Sequence, residues 1–282
     1  IAAAMGVSRP LISRMLTEAK DLGLVEIKIH DPWERTAVFM EKLQKQWGIK
    51  GAVLQDDQED DRLTNIVLAE GTFDLLEQIG TKRMGIGWGH FIGQMVEWLE
   101  ENPQKNSNVT DVFPLLGNAG VPVRNYHSNE NVRIMAEKLC AAPHFLYLPA
   151  LPESLEEKQV LCSTELYKQM EVQWRSLDTM IVNIGNYPST PDFASGARYG
   201  TKLQKEKVCG RMLAYYFNEQ GNIVDSSEDF AIQIPLEDLK LCKNVVGVCS
   251  ANTAARALKG ALATGLFTHI VARTDLVKEV IE

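Results

Sequence analysis

The feature that most constrains this chain is a recurrence of short runs that are almost wholly apolar, each followed by helical periodicity. The runs are GAVLQ at 51–55, MGIGWG at 84–89, DVFPLLG at 111–117, FLYLPA at 145–150, TMIVNIG at 179–185, VVGVC at 245–249 and THIVA at 268–272. Apolar residues at 3.6-residue spacing predict helices over 33–47, 62–79, 90–100, 129–141, 165–175 and 253–264, with a last short helix after 272. A strand that is apolar at every position has no face to offer solvent, and alternation with helices is the pattern of parallel strands joined by crossovers. The expected fold is therefore α/β, a mainly parallel sheet covered by helices on both faces.

Sheets of this kind bind ligands at the carboxyl ends of their strands. Those ends supply the candidates Gly85, Gly87, Trp88, Gly89 and His90 after one run, and Gly117 and Asn118 after the next. Gly185 and Asn186 follow a third, with Ser250, Asn252 and Thr253 after a fourth. Gly85, Gly87 and Gly89 lie between strand and helix, where bare N–H groups and a helix start favour an anion, although a tight turn also explains them. Trp88 and Tyr187 offer rings that stack on a sugar or fill the core. Asn252 and Thr253 are expected to cap the following helix and to face the crevice. Gly-x-Gly-x-Gly is not the dinucleotide fingerprint, so no nicotinamide cofactor, or any other, is expected. The histidines have no ligand spacing, so no metal is expected either, and the five scattered cysteines read as reduced thiols.

Of the 282 residues, 45% are hydrophobic and 23% charged, which excludes a disordered or collagen-like chain. No apolar run approaches the roughly 20 residues that span a bilayer, and residues 1–6 lack the order of a signal peptide, so a cytoplasmic protein with no membrane partner is expected. The formal charge of −8 argues against coating nucleic acid with the whole surface. Locally the sign reverses. Residues 8–20 carry Arg9, Arg14 and Lys20 against Glu18 alone.

That basic stretch has helix-turn-helix spacing, with Ala2 where two helices touch, Gly6 for the turn and Ile12 as the plug. Ser8 suits the N-cap of the second helix and Pro10 its first turn, where a missing N–H costs little. Leu11, Ile12, Met15, Leu16 and Ala19 form the stripe expected inward; Ser8, Arg9, Pro10, Ser13, Arg14 and Thr17 are the candidates to meet DNA, since Arg chelates guanine or grips phosphate and hydroxyls bond either. Gly23 ends the helix, and Val25, Ile27 and Ile29 alternate with polar residues as a short strand, giving a winged-helix outline that begins inside its first helix. The expected organisation is a truncated DNA-binding unit at 1–31, a linker helix at 32–50 with Phe39, Leu43 and Trp47 on one side, and an effector-binding and oligomerisation domain at 51–282.

SRPLISRMLTEAKDLGLVEIKI at 8–29, MGIGWGHFI at 84–92, VFPLLGNAG at 112–120, TMIVNIGN at 179–186 and VVGVCSANTAARALKGALATGLFTHIVA at 245–272 resemble, in order, the SorC family of bacterial sugar-responsive regulators. The resemblance implies a helix-turn-helix followed by an effector domain related to sugar-phosphate isomerases and deaminases. It further implies double-stranded operator DNA and a sugar, phosphorylated sugar or other anionic metabolite as partners, on a homodimer or homotetramer.

Phosphosugar-binding members of that family carry a Gly-Asp pair, a late Gly-Gly with a nearby Lys, a Thr after the early glycines and a Thr-Asp near the C-terminus. Here those places hold Gly210-Arg211, Ser250-Ala251 with Ala254, Phe91, and Ala272-Arg273. Arg211 and Arg273, with Arg256 beside them, become candidates for an anionic ligand, or pair with acids such as Glu228, Asp229 or Asp275. An enzyme on the same fold is the rival expectation, for which His90 is the one base at the strand ends. A domain that holds the oligomer together without sensing is the third.

Overall fold

A computed structural model of the chain describes residues 6, 8, 10–12, 14–15, 32–104, 107–189 and 194–282. The chain separates into two compact units, 1–38 and 39–282.

In the larger unit the order β1-β9-β8-β5-β2-β3-β4 is parallel throughout. The strands are β1 Gly51–Gln55, β2 Arg83–Ile86, β3 Asp111–Pro114, β4 Ala142–Pro143, β5 Thr179–Asn186, β8 Asn244–Val248 and β9 His269–Arg273. Alternation divides β1, β3, β5, β8 and β9 between two cores. On β5, Met180, Val182 and Ile184 enter one core and Ile181 the other; on β9, Ile270 and Ala272 oppose Val271. The first face is covered by α6 Glu165–Trp174, α10 Ala255–Ala263 and α11 Thr274–Ile281, with Leu43 from α1 Pro32–Trp47 also fully buried there. The second is covered by α2 Asp61–Gln78, α3 His90–Glu101 and α4 Ser128–Leu139. Each large apolar side chain so buried contributes roughly 1.5–3 kcal/mol.

Three sequence expectations change. GAVLQ is half-buried, because β1 is an edge strand. FLYLPA is not a strand: pairing with β3 falls earlier, at Ala142 and Pro143, and the later segment keeps only a bridge from Asn118 to Pro149. An antiparallel hairpin, β6 Val208–Met212 and β7 Tyr215–Asn218, was not anticipated; β6 pairs with the far half of β5. Its setting adds α5 Leu155–Ser163, α7 Ser195–Tyr199, α8 Lys202–Lys205 and α9 Leu236–Leu241.

Strand β5 explains the layout. At eight residues it is twice as long as β2, so its first half pairs with β2 and β8 while Ile184, Gly185 and Asn186 project beyond them to meet β6. The chain winds outward from β2 through β3 to β4, then returns to place β5 on the other side of β2. The order reverses there, which opens a crevice at the carboxyl ends.

In the smaller unit Gly6 has φ 65°, the left-handed conformation a turn requires. Ser8 then starts a helical turn: its carbonyl accepts from the N–H groups of Leu11 (3.1 Å) and Ile12 (3.2 Å), and its Oγ from Leu11 N–H at 3.4 Å. Ser8, Pro10 and Arg14 are exposed. Leu11 and Met15 are also exposed, at 42% and 50%, and Ile12 is half-buried; Ala2, Leu16, Ala19 and Gly23 lie outside the described residues. Arg9, Ser13, Thr17 and the expected strand at 25–29 lie outside the described residues.

Candidate functional site

The switch point forms a crevice of about 390 Å³ lined by His90, Asn125, Asn183, Asn186, Ser189, Arg211, Ser250, Asn252 and Thr253, with Val123, Tyr126, Ile184 and Gly185. Four loops and two strands converge on it, as parallel topology requires.

The wall after β8 is a self-bonded turn. Thr253 Oγ1 accepts from Ser250 N–H at 2.9 Å, Ser250 Oγ lies 2.7 Å from Asn252 Oδ1, and Thr253 N–H donates to the Ser250 carbonyl at 3.1 Å. Neither Asn252 nor Thr253 caps the helix, correcting that expectation. The cap comes from another strand: Asn186 Oδ1 accepts from Ala254 N–H at 2.8 Å, while its Nδ2 donates to the Asn252 carbonyl at 2.9 Å. One carboxamide thus ties the end of β5 to the start of α10. Beneath the turn, burial pushes the Cys249 thiol up to about 12, which leaves it unreactive near neutral pH.

Arg211 enters from β6, directly opposite Gly185; a Cβ on Gly185 would meet its Cγ at 3.3 Å. Arg273 lies elsewhere. It makes two 2.9 Å bonds to the Asp275 carboxylate, stands 3.9 Å from Asp57 and donates to the Ala251 carbonyl. Arg256 sits 3.7 Å from Glu219. The crevice therefore holds one of the three arginines considered from sequence.

The early glycines divide. A Cβ on Gly85 would strike Leu115 and Leu177 at 2.5 and 2.7 Å, and one on Gly87 would strike Leu213 at 2.7 Å, so both are packing positions. Their neighbour Trp88 is buried, with Nε1 donating to the Leu213 carbonyl at 3.1 Å. Gly87 N–H donates to the Ile181 carbonyl (2.9 Å) and Gly89 N–H to that of Asn125 (3.2 Å), so neither amide points free into a cradle. Gly89, at φ 128°, turns the chain into α3, and His90 beyond it is exposed on the crevice rim. Gly117 and Asn118 sit apart: a Cβ on Gly117 would lie 2.5 Å from the backbone at Leu148 and Pro149, and Asn118 bonds Asn129 N–H and the Leu146 carbonyl. Tyr187 packs edge-on to Tyr216 at 5.4 Å.

Sequence reasoning missed Val123, Asn125, Tyr126, Asn183, Ile184 and Ser189. Asn183 had a signal, because it is the one polar residue between Thr179 and Gly185 in an otherwise apolar run. Asn125 and Tyr126 come from a 3₁₀ turn, Arg124–Tyr126, that no periodicity marks.

Among the described residues no group of three or more His, Cys, Asp or Glu is placed to hold a metal, and no helix is long and apolar enough to cross a membrane. Residues 31–282 match the Sugar-bind family of sugar-binding domains. The Sorbitol operon regulator of Klebsiella pneumoniae is 25% identical over 273 residues, covering 93% of this chain and 85% of that protein. The Deoxyribonucleoside regulator of Bacillus subtilis is 24% identical over 281 residues, covering 96% and 88%. The crystal structure of the full-length Klebsiella regulator superposes with a TM-score of 0.78 at 21% identity, covering 100% of this chain and 92% of that one.

Proposed function

This chain belongs to the SorC family of sugar-binding transcriptional regulators, and we propose that it acts as a one-component switch. Its N-terminal unit binds double-stranded operator DNA through Ser8, Arg9, Pro10, Ser13, Arg14 and Thr17, and a sugar-like metabolite binds in the crevice at the switch point. The functional state is a homodimer or homotetramer in the cytoplasm, whose paired recognition helices meet successive half-sites. Ligand binding shifts the population between states of different operator affinity.

The observation that carries this reading is the chemistry of the crevice. Among its described lining residues there are four asparagines, two serines and a threonine, and no carboxylate or lysine. Hydroxyl and amide groups recognise a polyhydroxylated ligand, whereas isomerisation or deamination calls for a base and an acid poised to move protons. His90 is the one histidine among those residues. The reading is a binding protein, not an enzyme.

The test is fluorescence anisotropy of the purified full chain on fragments of the DNA flanking its own gene. Affinity is expected to fall steeply with salt, by about 0.9 log units per log unit for each phosphate neutralised. Arg14→Ala and Ser13→Ala are expected to weaken binding with the oligomer intact. Unchanged operator affinity in both variants removes the recognition-helix assignment; turnover of ribose or glucosamine phosphates by the chain removes the non-enzymatic reading.

A further inference from the structure

We infer that the crevice selects an unphosphorylated sugar or polyol and that the carboxamides of Asn125 and Asn183 read its hydroxyls. This rests on the crevice being the effector site proposed above.

Both side chains are half-buried in the crevice wall, and neither makes a hydrogen bond to a described residue. Each occupies space left by a glycine, Gly89 at the N-cap of α3 for Asn183 and Gly93 within α3 for Asn125. A Cβ on Gly89 would stand 3.0 Å from Asn183 Nδ2, and one on Gly93 would collide with the Asn125 carboxamide. Two glycines one helical turn apart thus seat two amides with two donors and an acceptor apiece. Asn186 shows the contrast: its carboxamide is used at both ends by Asn252 and Ala254. Unspent, seated amides facing one cavity are suited to adjacent hydroxyls, each of which both donates and accepts.

The same wall is poorly suited to a phosphate ester. A phosphate is held by several convergent N–H donors, usually with more than one cation. Here the N–H groups of Gly89, Ser250, Ala251, Thr253 and Ala254 already donate to protein acceptors, Ala251 to Asn65 Oδ1 at 2.8 Å. Arg211 is the one Lys or Arg among the described lining residues. The volume, near the low end of the roughly 300–1,000 Å³ usual for ligand pockets, suits a molecule of hexose size. Because α3 also begins at the rim, the decisive comparison is between each sugar and its own phosphate ester.

The test is calorimetric titration of the full chain with a panel of unphosphorylated hexoses and hexitols, their 6-phosphates and inorganic phosphate. At least one unphosphorylated compound is expected to bind, and its 6-phosphate to bind at least about tenfold more weakly. Asn125→Ala and Asn183→Leu are expected to lower the sugar's affinity by about tenfold or more, consistent with a lost polar contact. Asn183→Asp keeps shape and acceptors, so it is expected to retain sugar within a few-fold and to reject the phosphate further. Circular dichroism and operator binding without ligand verify that each variant is folded. Tighter binding of the 6-phosphates, or displacement of the sugar by inorganic phosphate, overturns the inference and leaves a sugar-responsive regulator standing. Sugar affinity unchanged in both asparagine variants also overturns it. Binding by nothing on the panel, with operator affinity unmoved, overturns both this inference and the effector reading beneath it.

Discussion

His269 shows how a single residue turns packing into pH dependence. It sits on β9 with its ring against Gly51, where a Cβ would lie 2.8 Å from His269 Cδ2, and its Nδ1 is 2.9 Å from Thr268 Oγ1. Burial, aided by the nearby Lys50 charge, lowers its pKa, because the charged ring would lose solvent without gaining an opposite charge. The unfolded chain binds a proton at a higher pH than the folded one. The stability this provides is complete above the ordinary histidine value of about 6.5 and drains away as pH falls through the lower folded value. Urea midpoints are therefore expected to decline on acidification below about 6.5, and less steeply in His269→Gln; equal slopes in the two proteins would show that another group governs the transition. The edge strand β1 is the element this residue guards, since Gly51 pairs with His269 itself.

At the scale of elements, the junction between β5 and α10 depends on one side chain doing two jobs. Asn186→Ala strips the cap acceptor from Ala254 N–H and the donor from the Asn252 carbonyl, for an expected loss of about 1 kcal/mol. Denaturant unfolding reads this as a lower midpoint at unchanged slope; a variant as stable as the parent would show that the tie is replaced by water. Such a cross-element cap is invisible in sequence, because the capping residue lies 68 positions from the amide it serves. The strand-and-helix alternation was legible for the opposite reason: it is written in local periodicity, and β2, β5, β8 and β9 stand where the apolar runs predict. The β6–β7 hairpin was not, since VCGRM and YYFN are too short and mixed to stand out, and their pairing with β5 is set by the length of a distant strand. For the crevice, positions such as Gly185, Asn186 and Ser250 followed from topology. Asn125 was hidden because its presence there is decided by a glycine on α3 and not by its neighbours in the chain.

For the whole molecule, the two activities proposed for this chain are bound by thermodynamics whatever path connects them. If the crevice ligand weakens operator binding by some factor, operator DNA must weaken ligand binding by the same factor, because both report one coupling free energy, typically about 1–3 kcal/mol. The expected outcome is a five- to roughly 150-fold change, of equal size in the two experiments: operator titrated with and without saturating sugar, and sugar titrated with and without saturating operator. Asn125→Ala, which is expected to reduce ligand affinity without touching DNA, must shift the ligand concentration at which the operator responds while leaving ligand-free operator affinity in place. A ligand that binds the crevice tightly yet leaves operator affinity constant would bind both states equally, and would reduce the large unit to a carrier for the small one. Measuring at fixed salt is essential, because operator affinity depends steeply on ionic strength and the crevice, with one arginine among its described lining residues, should depend on it little. That difference separates ligand coupling from a general electrostatic effect within a single set of titrations.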